Sequence, residues 1–108
     1  MPTITVTDTD FQENVISPSH TQPVLVDFYA PWCGPCQMMS PILDNLAEEM
    51  GNAAVIAKIN VDENLDKASE YQIMSIPNLK IFKNGEIVEE ISGMSNVESL
   101  KELLQKYL

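Results

Sequence analysis

A chain of 108 residues that is 44% hydrophobic carries enough apolar material for one folded core, so a single domain spanning 1–108 with no linker is expected. Sixteen acidic against six basic residues give a formal net charge of -10, which opposes binding to nucleic-acid phosphates or to an anionic membrane surface. The longest apolar run, residues 53–57, is far below the roughly 18 residues that a membrane span needs.

Residues 1–10 carry neither the basic start nor the apolar stretch of an export signal, and a cytoplasmic location is the expectation. Ile4 and Val6 alternate with Thr3, Thr5 and Thr7, the period of a half-buried first strand. Asp8 or Asp10 can cap a helix that sets Phe11, Val15 and Ile16 on one side and stops before Pro18. His20, in the polar loop that follows, reads as an ordinary solvated histidine. Residues 24–30, VLVDFYA, are almost continuously apolar and β-favouring, as in a strand buried on both faces; Asp27 is their single polar member.

After the turn PWCGPC comes a helical stripe in which Met38, Ile42, Leu46 and Met50 recur every fourth residue, widened by Met39, Leu43 and Ala47. Pro41 should kink this helix and Gly51 should end it. Residues 54–59 form the next strand, and 64–71 a short helix with Leu65 and Ala68 inward. Two strands, 79–82 and 87–91, flank Lys83-Asn84-Gly85-Glu86, whose Asn-Gly predicts a tight antiparallel hairpin. Ser95-Asn96-Val97-Glu98 reads as a capping box that opens a last helix with Val97, Leu100, Leu103, Leu104 and Tyr107 on one face. Five strands and four helices, alternating at first and closing with a hairpin, imply an α/β fold: a mixed sheet with helices on both faces.

The chemistry concentrates at Cys33 and Cys36. A Cys-x-x-Cys pair at a strand-to-helix junction sets its first sulfur beside unpaired N–H groups and the positive end of a helix dipole, both of which favour thiolate over thiol. The thiolate is the attacking species in disulfide exchange, so Cys33 is the expected nucleophile and Cys36 the resolving residue. A structural zinc site, a structural disulfide and inert packing compete with this; zinc wants four ligands, and the chain offers two cysteines and a distant His20. No metal is expected. Gly34 and Pro35 tighten the turn and bring no cation that would stabilise a free thiolate, which favours a reductant over a disulfide oxidase or isomerase.

Asp27 lies in a strand of otherwise buried side chains, so its carboxyl should lose solvation, titrate high and act as acid and base for Cys36. Lys58, on the next buried strand, can approach Asp27 and restrain that shift; a purely structural acid is the alternative. Ile76-Pro77 precedes the fourth strand, and the residues alone leave a trans proline that starts a strand and a cis proline that exposes the Ile76 backbone evenly matched. In the second case an extended substrate could pair with Ile76 by strand addition. Trp32, Met74, Ile76 and Met94 can form an adaptable apolar docking surface, whereas Met38, Met39 and Met50 lie on the helix stripe and are expected in the core.

The residues Val26-Asp27-Phe28, Trp32-Cys33-Gly34-Pro35-Cys36, Pro41, Lys58, Ile76-Pro77, Lys83-Asn84-Gly85 and Gly93 resemble the thioredoxin family and extend over most of the chain. The resemblance implies a sheet ordered 1-3-2-4-5, a cis bond before Pro77, and Gly34, Pro35 and Gly93 beside the substrate. It implies a protein without bound cofactor that takes electrons from a thioredoxin reductase and passes them to protein disulfides; a monomer is the default expectation. Tyr29, Asn78 and Ser92 depart from the commonest family pattern, which bears on target and reductase preference rather than on the chemistry. A binding module that docks partners through Trp32 is the rival of a different class.

Overall fold

Five strands share one sheet in the order β1-β3-β2-β4-β5: β1 Ile4–Thr5, β2 Val24–Tyr29, β3 Val55–Asn60, β4 Asn78–Lys83 and β5 Glu86–Ser92. The computed structural model describes residues 2–108; Met1 lies outside them. β1 and β2 run parallel to β3, while β4 runs antiparallel to both β2 and β5. The helices are α1 Gly34–Met50, α2 Leu65–Glu70 and α3 Val97–Gln105, with a π-helical segment, Gln12–Ile16, after β1.

Alternation along the strands divides the core between two faces. Leu25 of β2, Ile56 of β3 and Leu79 and Ile81 of β4 pack with Met39, Leu43 and Leu46 of α1 and Leu100 and Leu104 of α3. Val26, Phe28, Ile59 and Phe82 point the other way, onto Phe11, Val15 and Tyr71. Each fully buried Leu, Ile or Phe contributes about 1.5–3 kcal/mol through lost water contact, so both layers add to stability. β2 has neighbours on both sides, and it is this strand that carries Asp27 into the middle of the sheet.

Several local expectations need correction. Met38 is 65% exposed rather than in the core, unlike Met39 and Met50, and Leu65 is 69% exposed rather than inward. The last helix is capped by Asn96, whose Oδ1 accepts the Ser99 N–H at 2.8 Å, one residue later than the predicted box. Neither Asp8 nor Asp10 caps the π-helical segment, whose N-cap position is Phe11. The Asp8 carboxylate instead accepts the Lys67 N–H at 2.9 Å and the Asp66 N–H at 3.2 Å, and so caps α2. Asn64, at the start of α2, returns the contact by accepting the Asp8 N–H at 2.8 Å.

The turns follow the predicted chemistry. Asn84 and Gly85 take φ of 55° and 81°, the two left-handed residues that a two-residue hairpin of matching twist requires. Helix α1 runs on through Pro41, which withholds one ladder bond, and ends at Gly51.

Candidate active site

Cys33 is the residue at the mouth of α1. Its backbone is extended (φ -82°, ψ 115°), and its Sγ accepts the N–H of Cys36 at 3.2 Å, the bond by which a polar side chain closes a helix start. Pro35, within the first turn, has no N–H to compete, and Gly34 begins the helix with open space where a Cβ would stand. Cys33 and Cys36 are joined as a disulfide with Cα atoms 5.2 Å apart, and both residues are buried. Around them pack Ala30, Tyr29, Val61 and Ile76. The Ile76 carbonyl oxygen lies 4.0 Å from Cys33 Sγ, and the Ile76–Pro77 bond is cis. Gly93 donates its N–H to the Pro77 carbonyl at 2.9 Å and holds φ at 83°, a conformation that favours glycine.

Asp27 is fully buried on β2, and among the described residues neither of its carboxyl oxygens has a hydrogen-bond partner. Burial disfavours the charged form and raises its pKa from 3.8 to about 7, against the opposing pull of the Lys58 charge. Lys58 stands directly across the β2–β3 pair from Asp27 but does not bond to it. Its ammonium donates to Ser40 Oγ on α1 at 3.1 Å and lies 4.8 Å from the centre of the Tyr29 ring. A cavity of about 190 Å³ joins Cys36 to Lys58, Ser40 and Tyr29.

On the surface, Trp32 is 71% exposed, and its indole N–H donates to Asp62 at 2.8 Å, which fixes the ring beside the disulfide. Between it and α2 lies a second cavity, of about 280 Å³, bordered by Val61, Leu65, Ala68, Ile73, Met74 and Ile76. Met74 is 95% exposed at its rim. Trp32, Met74 and Ile76 therefore share one cleft, while Met94 is exposed beyond Gly93 and does not border it. His20 lies by the β4–β5 turn, within van der Waals distance of the position that a Gly85 Cβ would take. Among the described residues no three His, Cys, Asp or Glu side chains gather as metal ligands.

Sequence reasoning missed Ser40, Asp62 and Leu65 as parts of this region. A serine inside a helix and an aspartate after a strand carry no periodic signal. The Leu65 spacing only says that it shares a side with Ala68, and that side turns out to line the cleft. Chemically, the arrangement offers an N–H-supported sulfur at the helix mouth, nearly but not wholly covered, a second sulfur one turn on, and a high-titrating carboxyl in the adjoining strand.

A family model described as Thioredoxin matches residues 2–106. Among curated relatives, a thioredoxin of Porphyra purpurea is 48% identical over 103 residues, covering 95% of this chain and 94% of that one. One of Bacillus subtilis (strain 168) is 52% identical over 85 residues, covering 79% and 82% respectively. One of Staphylococcus haemolyticus (strain JCSC1435) is 44% identical over 108 residues and covers both chains completely. A solved structure, an asparagine-to-glutamine variant of thioredoxin from Halobacterium salinarum NRC-1, superposes with a TM-score of 0.84 at 40% identity, covering 98% of this chain and 90% of that chain.

Proposed function

The chain belongs to the thioredoxin family and is a thiol–disulfide oxidoreductase that reduces protein disulfides, and from that premise we propose that Cys33 is its nucleophile and Cys36 its resolving residue. One observation carries this assignment: Cys33 Sγ already accepts the N–H of Cys36 at the helix mouth, the contact that strengthens once the sulfur is charged. In the reduced protein the Cys33 thiolate attacks one sulfur of a substrate disulfide. That S–S bond breaks, a Cys33–substrate disulfide forms, and the other substrate sulfur leaves as thiolate. The Asp27 carboxylate takes the Cys36 proton, the Cys36 sulfur attacks Cys33 Sγ, and the second substrate thiolate departs. Two electrons have passed to the substrate, and the Cys33–Cys36 disulfide remains. Lys58 tunes Asp27 by charge.

Substrates dock as an extended strand along Ile76 and Pro77, with Gly34, Pro35, Gly93 and Met94 around the sulfurs. Trp32 and Met74 cover the apolar flank. The family has disulfide-containing targets and a reductase as partners; a thioredoxin reductase is the proposed electron donor here. The whole chain is read as one domain, which the match over residues 2–106 and the continuous sheet support, and as a monomer by default. Among the described residues no helix is long and apolar enough to cross a membrane. A reducing cytoplasm is the proposed compartment, because it keeps such a pair as dithiol.

Reduction of insulin disulfides with dithiothreitol as electron source tests the roles. Cys36→Ser should accumulate a mixed disulfide through Cys33, and Cys33→Ser should accumulate none. Trapping by Cys33→Ser instead would reverse the assignment.

A further inference from the structure

The register that sets Asp27 opposite Lys58 places a carboxylate and an ammonium on the α1 face of two neighbouring strands, where an ion pair is the default outcome. That pair is not made. The lysine stem reaches past the carboxyl to α1, where Ser40, one turn beyond Cys36, takes the ammonium at 3.1 Å. The face of the Tyr29 ring gives the cation a second favourable contact. Both Asp27 oxygens stay buried and without a hydrogen bond.

We propose that Ser40 is a positioning residue: its hydroxyl holds the Lys58 ammonium on α1 and keeps it off Asp27, which leaves that carboxyl able to exchange a proton with Cys36. The proposal rests on the reading of Asp27 as the proton acceptor. The groups around Asp27 are few. Lys58 stands across from it on β3 and Leu79 on β4, and the Tyr29 hydroxyl of its own strand feels its charge, while α1 and α3 add the apolar Met39, Leu43, Leu100 and Leu104 to the core on that side of the sheet. Of these, Lys58 alone is a fixed cation. Its distance therefore decides how far burial can raise the carboxyl, which now titrates at about 7. Without Ser40 Oγ the ammonium loses its acceptor, and the Asp27 carboxyl across the strand pair, on which its charge already acts, is an available partner. Approach to it favours the charged form and pulls the titration down.

The test is titration of the Asp27 carboxyl carbon by NMR in the oxidised protein, for the wild type and for Ser40→Ala, Ser40→Thr and Ser40→Ala/Lys58→Met. Alanine is a better helix former than serine, so the first variant keeps α1. The midpoint should fall by about one pH unit in Ser40→Ala, stay in place in Ser40→Thr, which retains a hydroxyl, and rise above the Ser40→Ala value when Lys58 is also removed. An unmoved midpoint in Ser40→Ala, or a fall that persists without Lys58, overturns the proposal. The pH profile of mixed-disulfide resolution in Asp27→Asn separates the two readings: a profile unchanged from wild type removes Asp27 from the proton transfer while leaving the Ser40 midpoint shift to stand or fall by itself.

Discussion

A carboxyl enclosed in the middle of a sheet, with neither oxygen bonded, ties stability to pH. The folded pKa of Asp27, about 7, lies above its ordinary value of 3.8, so folding favours the protonated form. Below pH 3.8 that contribution is complete; it declines as pH rises and is gone above 7, a difference on the order of 4 kcal/mol. Denaturant unfolding of the oxidised protein should therefore show Asp27→Asn more stable than wild type at pH 8, with the gap narrowing toward pH 5. Parallel curves across that range would mean that the carboxyl is ionised while buried. The burial of Asp27 was legible because one acid interrupts a run of apolar residues, and the Cys33 and Cys36 positions were legible because their spacing spans a strand-to-helix junction. Ser40 was not. Whether a helical hydroxyl meets solvent or a lysine from another element depends on packing that sequence spacing does not encode. Lys80 was hidden likewise: it lies between Leu79 and Ile81 in an apolar strand, and it is buried because Glu90 stands directly across from it on β5 and pairs with it.

At the scale of elements, the long and strongly periodic pieces were readable and the short ones were not. Helix α1 repeats its apolar pattern over 17 residues, which fixes its buried side apart from the flanking Met38. Helix α2 has six residues, too few for the pattern to fix which side packs inward, and Leu65 consequently faces the cleft. Its cap is supplied from 58 residues away by Asp8, a contact that no local motif announces. Asp8→Ala should free the Asp66 and Lys67 amides and cost about 1 kcal/mol. Hydrogen exchange should speed up at those two amides, while exchange within β2 changes only as far as global stability falls. Uniform acceleration along the chain would show that the bonds matter to the whole fold rather than to α2.

For the whole molecule, a net charge of -10 sets an encounter preference that the cysteines do not. Two disulfide peptides of equal reactivity, one flanked by lysines and one by glutamates, should be reduced at different initial rates, the basic peptide faster. The ratio should collapse as ionic strength rises from about 0.01 M to about 0.5 M, because screening shortens the reach of the field. A ratio insensitive to salt would place the preference in short-range contacts instead.

The methionines are divided just as unevenly. Met39 and Met50 are enclosed between α1 and the sheet, whereas Met38, Met74 and Met94 stand in water. A peroxide meets the outer sulfurs first, and each sulfoxide that forms turns a greasy, pliant side chain into a polar one. Under oxidative stress this carrier would change its outer face while its interior stayed whole, ageing from the outside in, with Met74, the most exposed of them, the earliest mark.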